Sequence, residues 1–323
     1  MRYDDWGERS PRWAGIRSEM VDLQGTAVHL LRARGDAGMP TQLLVHPMGA
    51  TGTFWLDVIS SLAAHGPVVA PDLPGTFTGH TGTPHRRAAR AHVNARFLRA
   101  LMRRLGVERV VVHGWSMGGL VGLLFARGAG EVEVEGLVLT SPTLPGPLTV
   151  GEALGWQTVG RFALLAGVPV LRGTLGLCGG RLLEAKLRRG DPVVSPGGGL
   201  DLVGGDLRRV SPELVALQAE ERWEMRARPD RLGDAVVAFA SVVSAMYVDR
   251  GPVLGAVDGV GVATLLLWGD RDPLIGRAVV DYLLGRRPDW QSRVLEGVGH
   301  LAPMEVPAAY VEAVARWRAS RVP

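Results

Sequence analysis

Short apolar runs alternate with longer amphipathic segments over the first 141 residues and again after residue 261. Apolar runs bounded by turn residues are typical of buried strands, and the amphipathic segments between them are typical of helices. The alternation predicts an α/β fold, in which a mainly parallel, doubly wound sheet has helices on both faces. The predicted strands are residues 20–23, 27–31, 42–46, 67–70, 109–113, 134–140, 263–268 and 292–295, and the predicted helices are 53–64, 86–105, 117–128, 278–284 and 307–318.

The alternation stops between residues 142 and 260, where glycines are frequent and no clear strand occurs. We interpret this segment as a helical lid inserted after the sixth core strand. The chain is then divided into a first core part (1–141), the lid (142–260) and a second core part (261–323). Within the lid, helices are predicted at 163–171, 182–188, 212–226 and 231–246.

Composition narrows the class of protein further. Of 323 residues, 46% are hydrophobic and 21% charged, which is an ordinary globular balance. The single cysteine, Cys178, excludes an intramolecular disulfide, and its apolar surroundings favour a small buried residue over a reactive thiol. Residues 1–12 lack the apolar run of a signal peptide, and no segment reaches the ~20 apolar residues of a membrane span. We therefore expect a cytoplasmic protein without a membrane span.

The net charge of +4 comes almost wholly from arginine, because Lys186 is the only lysine. Arginines cluster on one face of the helix predicted at 86–105. A solvated helix face is the favoured interpretation, and an acidic partner such as an acyl carrier protein is the alternative. Basic and aromatic residues are not interleaved, so nucleic-acid binding is not expected.

The strongest motif is Gly114-Trp115-Ser116-Met117-Gly118, a G-x-S-x-G pattern between a predicted strand and a predicted helix. Small residues on both sides allow a sharp, strained turn that exposes the serine hydroxyl. The pattern predicts Ser116 as a nucleophile at a helix N-terminus.

A serine hydroxyl needs an adjacent base to act as a nucleophile at neutral pH. His300 follows the last predicted strand and precedes the last helix, so it is expected at the carboxyl edge of the sheet. An acid should hold the histidine tautomer, and Asp272 is favoured over Asp270 because Pro273 makes its backbone extended.

The negative charge of a tetrahedral intermediate requires hydrogen-bond donors. One predicted donor is the backbone N–H of Met117, which follows the nucleophile. The second predicted donor is Met48, in the short glycine-containing loop after the third strand.

In these motifs and their order, the chain resembles the α/β-hydrolase superfamily, in its branch with a lid. The matching segments are 46–55, 71–75, 114–119, 268–273 and 299–307. The resemblance implies a Ser116–Asp272–His300 triad, oxyanion donors at Met48 and Met117, and Trp115 and His46 as substrate contacts. One departure is His46-Pro47, where the family usually has His-Gly.

The first hypothesis for the function is hydrolysis of a carboxylic ester or thioester through an acyl-Ser116 intermediate. A hydrophobic acyl substrate is expected because the lid is rich in apolar residues. The alternatives are carbon–carbon bond hydrolysis, acyl transfer or cyclisation with the same triad, and a receptor-like binding protein whose triad is idle. No cofactor motif or metal-ligand cluster is found, so neither is expected.

Overall fold

The structure, a computed structural model, describes residues 3–76, 78–85, 87–128, 130–175, 204–224 and 228–321. Its strands form one eight-stranded sheet, and their order across the sheet is β1-β2-β4-β3-β5-β6-β7-β8. β1 and β2 pair antiparallel, as do β2 and β4, and the remaining pairs are parallel. In chain order the strands are β1 (Ile16–Leu23), β2 (Thr26–Ala33), β3 (Thr41–Val45), β4 (Val68–Pro71), β5 (Arg109–Trp115), β6 (Glu133–Thr140), β7 (Thr264–Gly269) and β8 (Gln291–Leu295).

Helices cover both faces of the sheet, as the apolar pattern predicted. In chain order they are α1 (Leu56–Leu62), α2 (Ala91–Arg104), α3 (Met117–Arg127), α4 (Val150–Leu175), α5 (Pro212–Glu224), α6 (Leu232–Val248), α7 (Arg250–Gly259), α8 (Arg277–Arg286), α9 (Ala302–Glu305) and α10 (Pro307–Ala319). α1 and α10 bury their apolar side chains on one face of the sheet. α2, α3 and α8 bury theirs on the other face. The predicted α/β fold with a mainly parallel, doubly wound sheet is confirmed.

Helices α4 to α7 lie between β6 and β7, where the sequence predicted the insertion. α7 was not predicted, and the helix predicted at 182–188 lies outside the described residues, as does Cys178. α5 and α7 bury leucine and valine side chains in the two core clusters, among them Leu214 and Val257. These two helices therefore belong structurally to the packed body.

α4 corrects the expectation that no segment is long enough to span a membrane. It has 26 residues and, by length and composition alone, could cross a bilayer. The sequence pattern predicted a helix only at 163–171, so the N-terminal half of α4 was missed. The helix contains π-helical turns at Trp156–Gly160 and Ala163–Gly167, and the second of these directly precedes the turn with Pro169.

The N-terminal segment is part of the core, a role that the sequence pattern did not predict. Trp6 and Trp13 are buried beside α1 and α10. The indole N–H of Trp13 donates to Asp57 of α1 at 2.8 Å. Arg9 forms an ion pair with Glu220 of α5 at 2.7 Å, which joins this segment to the insertion.

Candidate active site

Ser116 stands in a sharp turn between β5 and α3. Its φ of 55° and ψ of −118° are rare for a residue with a side chain and cost about 1–3 kcal/mol. Two hydrogen bonds hold the backbone there, from the Ser116 N–H to Thr140 O at 2.9 Å and from the Thr143 N–H to Ser116 O at 3.1 Å. The turn places Ser116 at the N-terminus of α3, where the helix dipole favours negative charge.

Close backbone approaches explain the glycines of the motif. A Cβ atom at Gly118 would lie 2.0 Å from the carbonyl oxygen of Val45, at the end of β3. A Cβ atom at Gly114 would lie 2.4 Å from the carbonyl oxygen of Gly118. Both distances are far below van der Waals contact, so the turn can form next to β3 only with glycine at these positions.

His300 and Asp272 are buried together after β8 and β7. His300 Nδ1 lies 2.8 Å from Asp272 Oδ2, and Asp272 Oδ1 accepts the N–H groups of Leu274 and Ile275 at 2.8 and 3.0 Å. Burial raises the pKa of Asp272, but its hydrogen bond to His300 and the backbone donors outweigh this, so the pKa lies below its ordinary value. The ionised carboxylate keeps the imidazole proton on Nδ1 and leaves Nε2 as the acceptor.

Two further carboxylates hold the loop that carries His300. Asp270 Oδ1 accepts the N–H of Gly297 at 2.6 Å and so fixes the turn after β8. Glu305 accepts the N–H groups of Gly299 and Leu301 at 3.3 and 3.2 Å, on either side of His300. Sequence reasoning gave Glu305 no role, although an acidic residue in the first turn of a helix, shortly after the candidate base, is a usable signal.

The structure corrects the prediction that Trp115 contacts substrate. Trp115 is fully buried, and its ring packs against Trp55 with 5.7 Å between the ring centroids. Its indole N–H donates to the carbonyl oxygen of His300 at 2.8 Å. Trp115 therefore positions the histidine loop, and it is not among the described residues that line the cavity with Met48 and Met117.

The same correction applies to His46, which is fully buried. Its Nε2 accepts the N–H of Leu73 at 2.9 Å, so the proton lies on Nδ1, which donates to Pro47 O at 2.7 Å. Burial lowers the pKa of His46 and keeps the ring neutral. His46 therefore ties the loop after β3 to the loop after β4. No cis peptide bond occurs in the described residues, Pro47 included.

Met48 and Met117 line the same cavity from two directions. β4 lies on one side of β3 and β5 lies on the other. The direction in which successive strands are added to the sheet therefore reverses after β4. Ligands of open α/β sheets bind at such a switch point. Met117 is the first residue of α3, where a backbone N–H has no partner within the helix.

This cavity has a volume of about 380 Å³ and lies between the core and the insertion. Met48, Gly49 and Met117 form its floor, while α4 and α6 contribute Leu171 and Phe239 on the opposite side. Its described lining contains no ionisable side chain. The arrangement suits an uncharged, largely apolar ligand next to the turn at Ser116.

Backbone hydrogen bonds connect the turn at Ser116 with the strand that precedes Asp272. No hydrogen bond between the Ser116 hydroxyl and the His300 ring is present among the described residues. Hydrogen bonds between catalytic groups are often long in the absence of substrate. The Ser116 N–H bonds to the end of β6, the neighbouring Ser141 N–H bonds to Leu267 of β7, and β7 leads directly to Asp272.

A sequence model described as the alpha/beta hydrolase family matches residues 42–313, far more than half of the chain. The chain belongs to this family. As an α/β hydrolase it is an enzyme, and the family leads us to expect a catalytic triad and an oxyanion hole at the carboxyl edge of the sheet.

Two relatives have amino-acid sequences similar to that of this α/β hydrolase over most of the chain. An uncharacterized protein of Mycobacterium tuberculosis is 27% identical over 304 residues, which are 91% of this chain and 80% of the relative. A 2-hydroxy-6-oxononadienedioate/2-hydroxy-6-oxononatrienedioate hydrolase of Cupriavidus pinatubonensis is 25% identical over 281 residues, 85% of each protein.

Solved structures share the fold. A serine hydrolase involved in carbazole degradation superposes with a TM-score of 0.64 at 20% identity, covering 95% of this chain and 100% of that one. A serine hydrolase from Cycloclasticus zankles gives a TM-score of 0.63 at 18% identity, covering 95% and 99% of the two chains. At such low identities the likeness supports the fold alone.

Proposed function

We propose that this α/β hydrolase cleaves a carboxylic ester or thioester of a hydrophobic small molecule through an acyl-serine intermediate. The observation that carries the proposal is the buried His300–Asp272 pair, 2.8 Å apart, at the sheet edge where the strained turn presents Ser116. A paired acid and base beside a serine at a helix N-terminus is the arrangement that acyl transfer requires.

In the proposed reaction, Ser116 Oγ attacks the carbonyl carbon and His300 Nε2 takes the hydroxyl proton. The carbonyl oxygen becomes negative and accepts hydrogen bonds from the backbone N–H groups of Met117 and Met48. His300 then protonates the leaving alcohol or thiol, and water, deprotonated by His300, releases the acid from Ser116. Asp272 stabilises the imidazolium in both steps.

We also propose that α4 and α6 act as the lid over the acyl group. Leu171 and Leu175 of α4 line the cavity together with Leu232 and Phe239 of α6. The lid function is proposed for these two helices because they line the cavity, whereas no described residue of α5 or α7 is in its lining.

A second candidate reaction is hydrolysis of a carbon–carbon bond, which the Cupriavidus relative brings into consideration. The substrate in that relative's name is a dicarboxylate. A dicarboxylate needs arginine or lysine partners when it is buried, and no such side chain occurs among the described residues of the cavity lining. The lining therefore supports an uncharged substrate over that one.

The proposed function is tested by hydrolysis of p-nitrophenyl esters of short and medium fatty acids. Ser116→Ala should lower kcat by at least about 10⁴-fold, because no other group can form the acyl intermediate. Thr143→Ala, a hydroxyl removed close to the same turn, serves as the matched control and should retain activity. Undiminished turnover by Ser116→Ala would contradict the proposal.

A further inference from the structure

Asn94 of α2 is a polar residue in an apolar cavity. It is 1% exposed and lines the cavity that contains Met48 and Met117. Its Oδ1 atom is buried and has no hydrogen-bond partner among the described residues. A buried amide oxygen without a partner is unfavourable, so its presence in the lining calls for a ligand group that can pair with it.

The other polar side chain of the lining has partners of its own. Thr76 Oγ1 donates to Leu73 O at 2.5 Å and lies 3.3 Å from His46 Nε2. In the described lining, Asn94 therefore offers the side-chain hydrogen-bonding capacity that the protein itself leaves unused. Its carboxamide lies in the same space that the proposed function gives to the acyl chain.

We propose that Asn94 recognises a hydroxyl group on the otherwise apolar acyl part of the substrate; this rests on the proposed ester hydrolysis. A hydroxyl both donates and accepts, so it can pair with the carboxamide whichever of its two polar atoms faces the cavity. An unsubstituted acyl chain leaves the carboxamide oxygen without a partner, whereas a hydroxylated chain provides one. Asn94 then selects hydroxyacyl over plain acyl esters.

Kinetics provide the first test. p-Nitrophenyl octanoate is compared with the same ester carrying one hydroxyl group, placed at successive carbon atoms of the chain. For the hydroxyl position that reaches Asn94, the wild-type kcat/KM should exceed that of plain octanoate by about 10-fold, the effect of one well-made buried hydrogen bond. Asn94→Leu, which keeps the number of side-chain heavy atoms and their branching but removes both polar atoms, should abolish or reverse this preference. A preference that is the same in both proteins would overturn the inference.

The matched control is Leu232→Met, an apolar and nearly volume-conserving change in the same lining, which should leave the hydroxyl preference intact. Asn94→Ala carries the same test if Asn94→Leu does not fold, as judged by circular dichroism.

A binding measurement separates this inference from the proposed reaction. In the Ser116→Ala background, the ethyl ester of the preferred hydroxyoctanoic acid is titrated by calorimetry, with and without Asn94→Leu. The second change should weaken binding by about 10-fold. Equal dissociation constants would overturn the role of Asn94. A clear difference, together with no ester hydrolysis by the wild type, would instead refute the proposed reaction and leave the recognition of the hydroxyl group standing.

Discussion

Several histidines of this chain are buried, and their partners decide which of them can take up a proton. His300 faces a carboxylate at 2.8 Å. His113, in the middle of β5, lies between neutral groups: its Nδ1 is 2.9 Å from the Tyr310 hydroxyl and its Nε2 is 3.1 Å from Gln42 Oε1. Burial, aided by the charge of Arg318, lowers the pKa of His113 from 6.5 to about 3. His113 is therefore a structural residue, whereas His300 is the base in the reaction that we propose.

The lowered pKa of His113 predicts how stability depends on pH. Between pH 6.5 and about 3 the unfolded chain binds a proton at this residue and the folded chain does not. The free energy of unfolding should therefore fall as the pH decreases through this range. His113→Gln should reduce the proton uptake on unfolding by about one proton, measured by urea denaturation at a series of pH values.

The exposed His85 provides the control for that measurement. His85→Gln removes a histidine side chain that is exposed in the folded chain and serves as the matched variant. A His113→Gln variant with the same slope as the wild type would show that His113 is not the buried neutral group described here.

At the scale of elements, the site depends on how closely the N-terminus of α3 approaches the end of β3. This approach brings Met117 and Met48 into the lining of one cavity, where we propose that their backbone N–H groups form the oxyanion hole. The arginines of α2 concern a different surface, since Arg96 and Arg103 are exposed to solvent. Binding of an acidic partner, such as an acyl carrier protein, stays a prediction. The cytoplasmic location likewise stays a prediction.

Gly118→Ala tests the close approach of α3 to β3. The added methyl group would lie 2.0 Å from Val45 O, so α3 must move away from the oxyanion loop. Overpacking of this kind costs about 1–3 kcal/mol, which should appear as a lower Tm together with a loss of ester hydrolysis.

Gly151→Ala in α4 is the matched control for this glycine, because a Cβ atom there meets nothing within 4 Å. It should be neutral or slightly stabilising. A Gly118→Ala variant as active and as stable as this control would contradict the account of the turn.

At the scale of the whole molecule, the sequence predicts the features that are encoded in local patterns of residues. The strands are short apolar runs, and Ser116, Asp272 and His300 each follow a strand, so topology brings them to the same edge. The burial of Trp115 and His46 could not be predicted, because it depends on contacts with Trp55 and Leu73 from other parts of the chain. A motif identifies an important residue, but tertiary packing decides the direction in which its side chain points.

The same limit applies to larger segments. The N-terminal residues show no regular pattern, yet Trp6 and Trp13 complete the core. Asn94 lies on the buried side of an arginine-rich helix, where the sequence pattern alone makes it one more polar residue. Its unpaired oxygen becomes visible only when α6 and the loop after β4 close the cavity around it.

The central claim is that Ser116 is an activated nucleophile, and covalent labelling with a fluorophosphonate tests it most directly. The wild-type chain should take up one phosphonyl group, located at Ser116 by mass spectrometry. Ser116→Ala should take up none, and His300→Gln should react far more slowly because the base is missing. A wild-type chain that remains unlabelled, or that carries the label at another residue, would contradict the account.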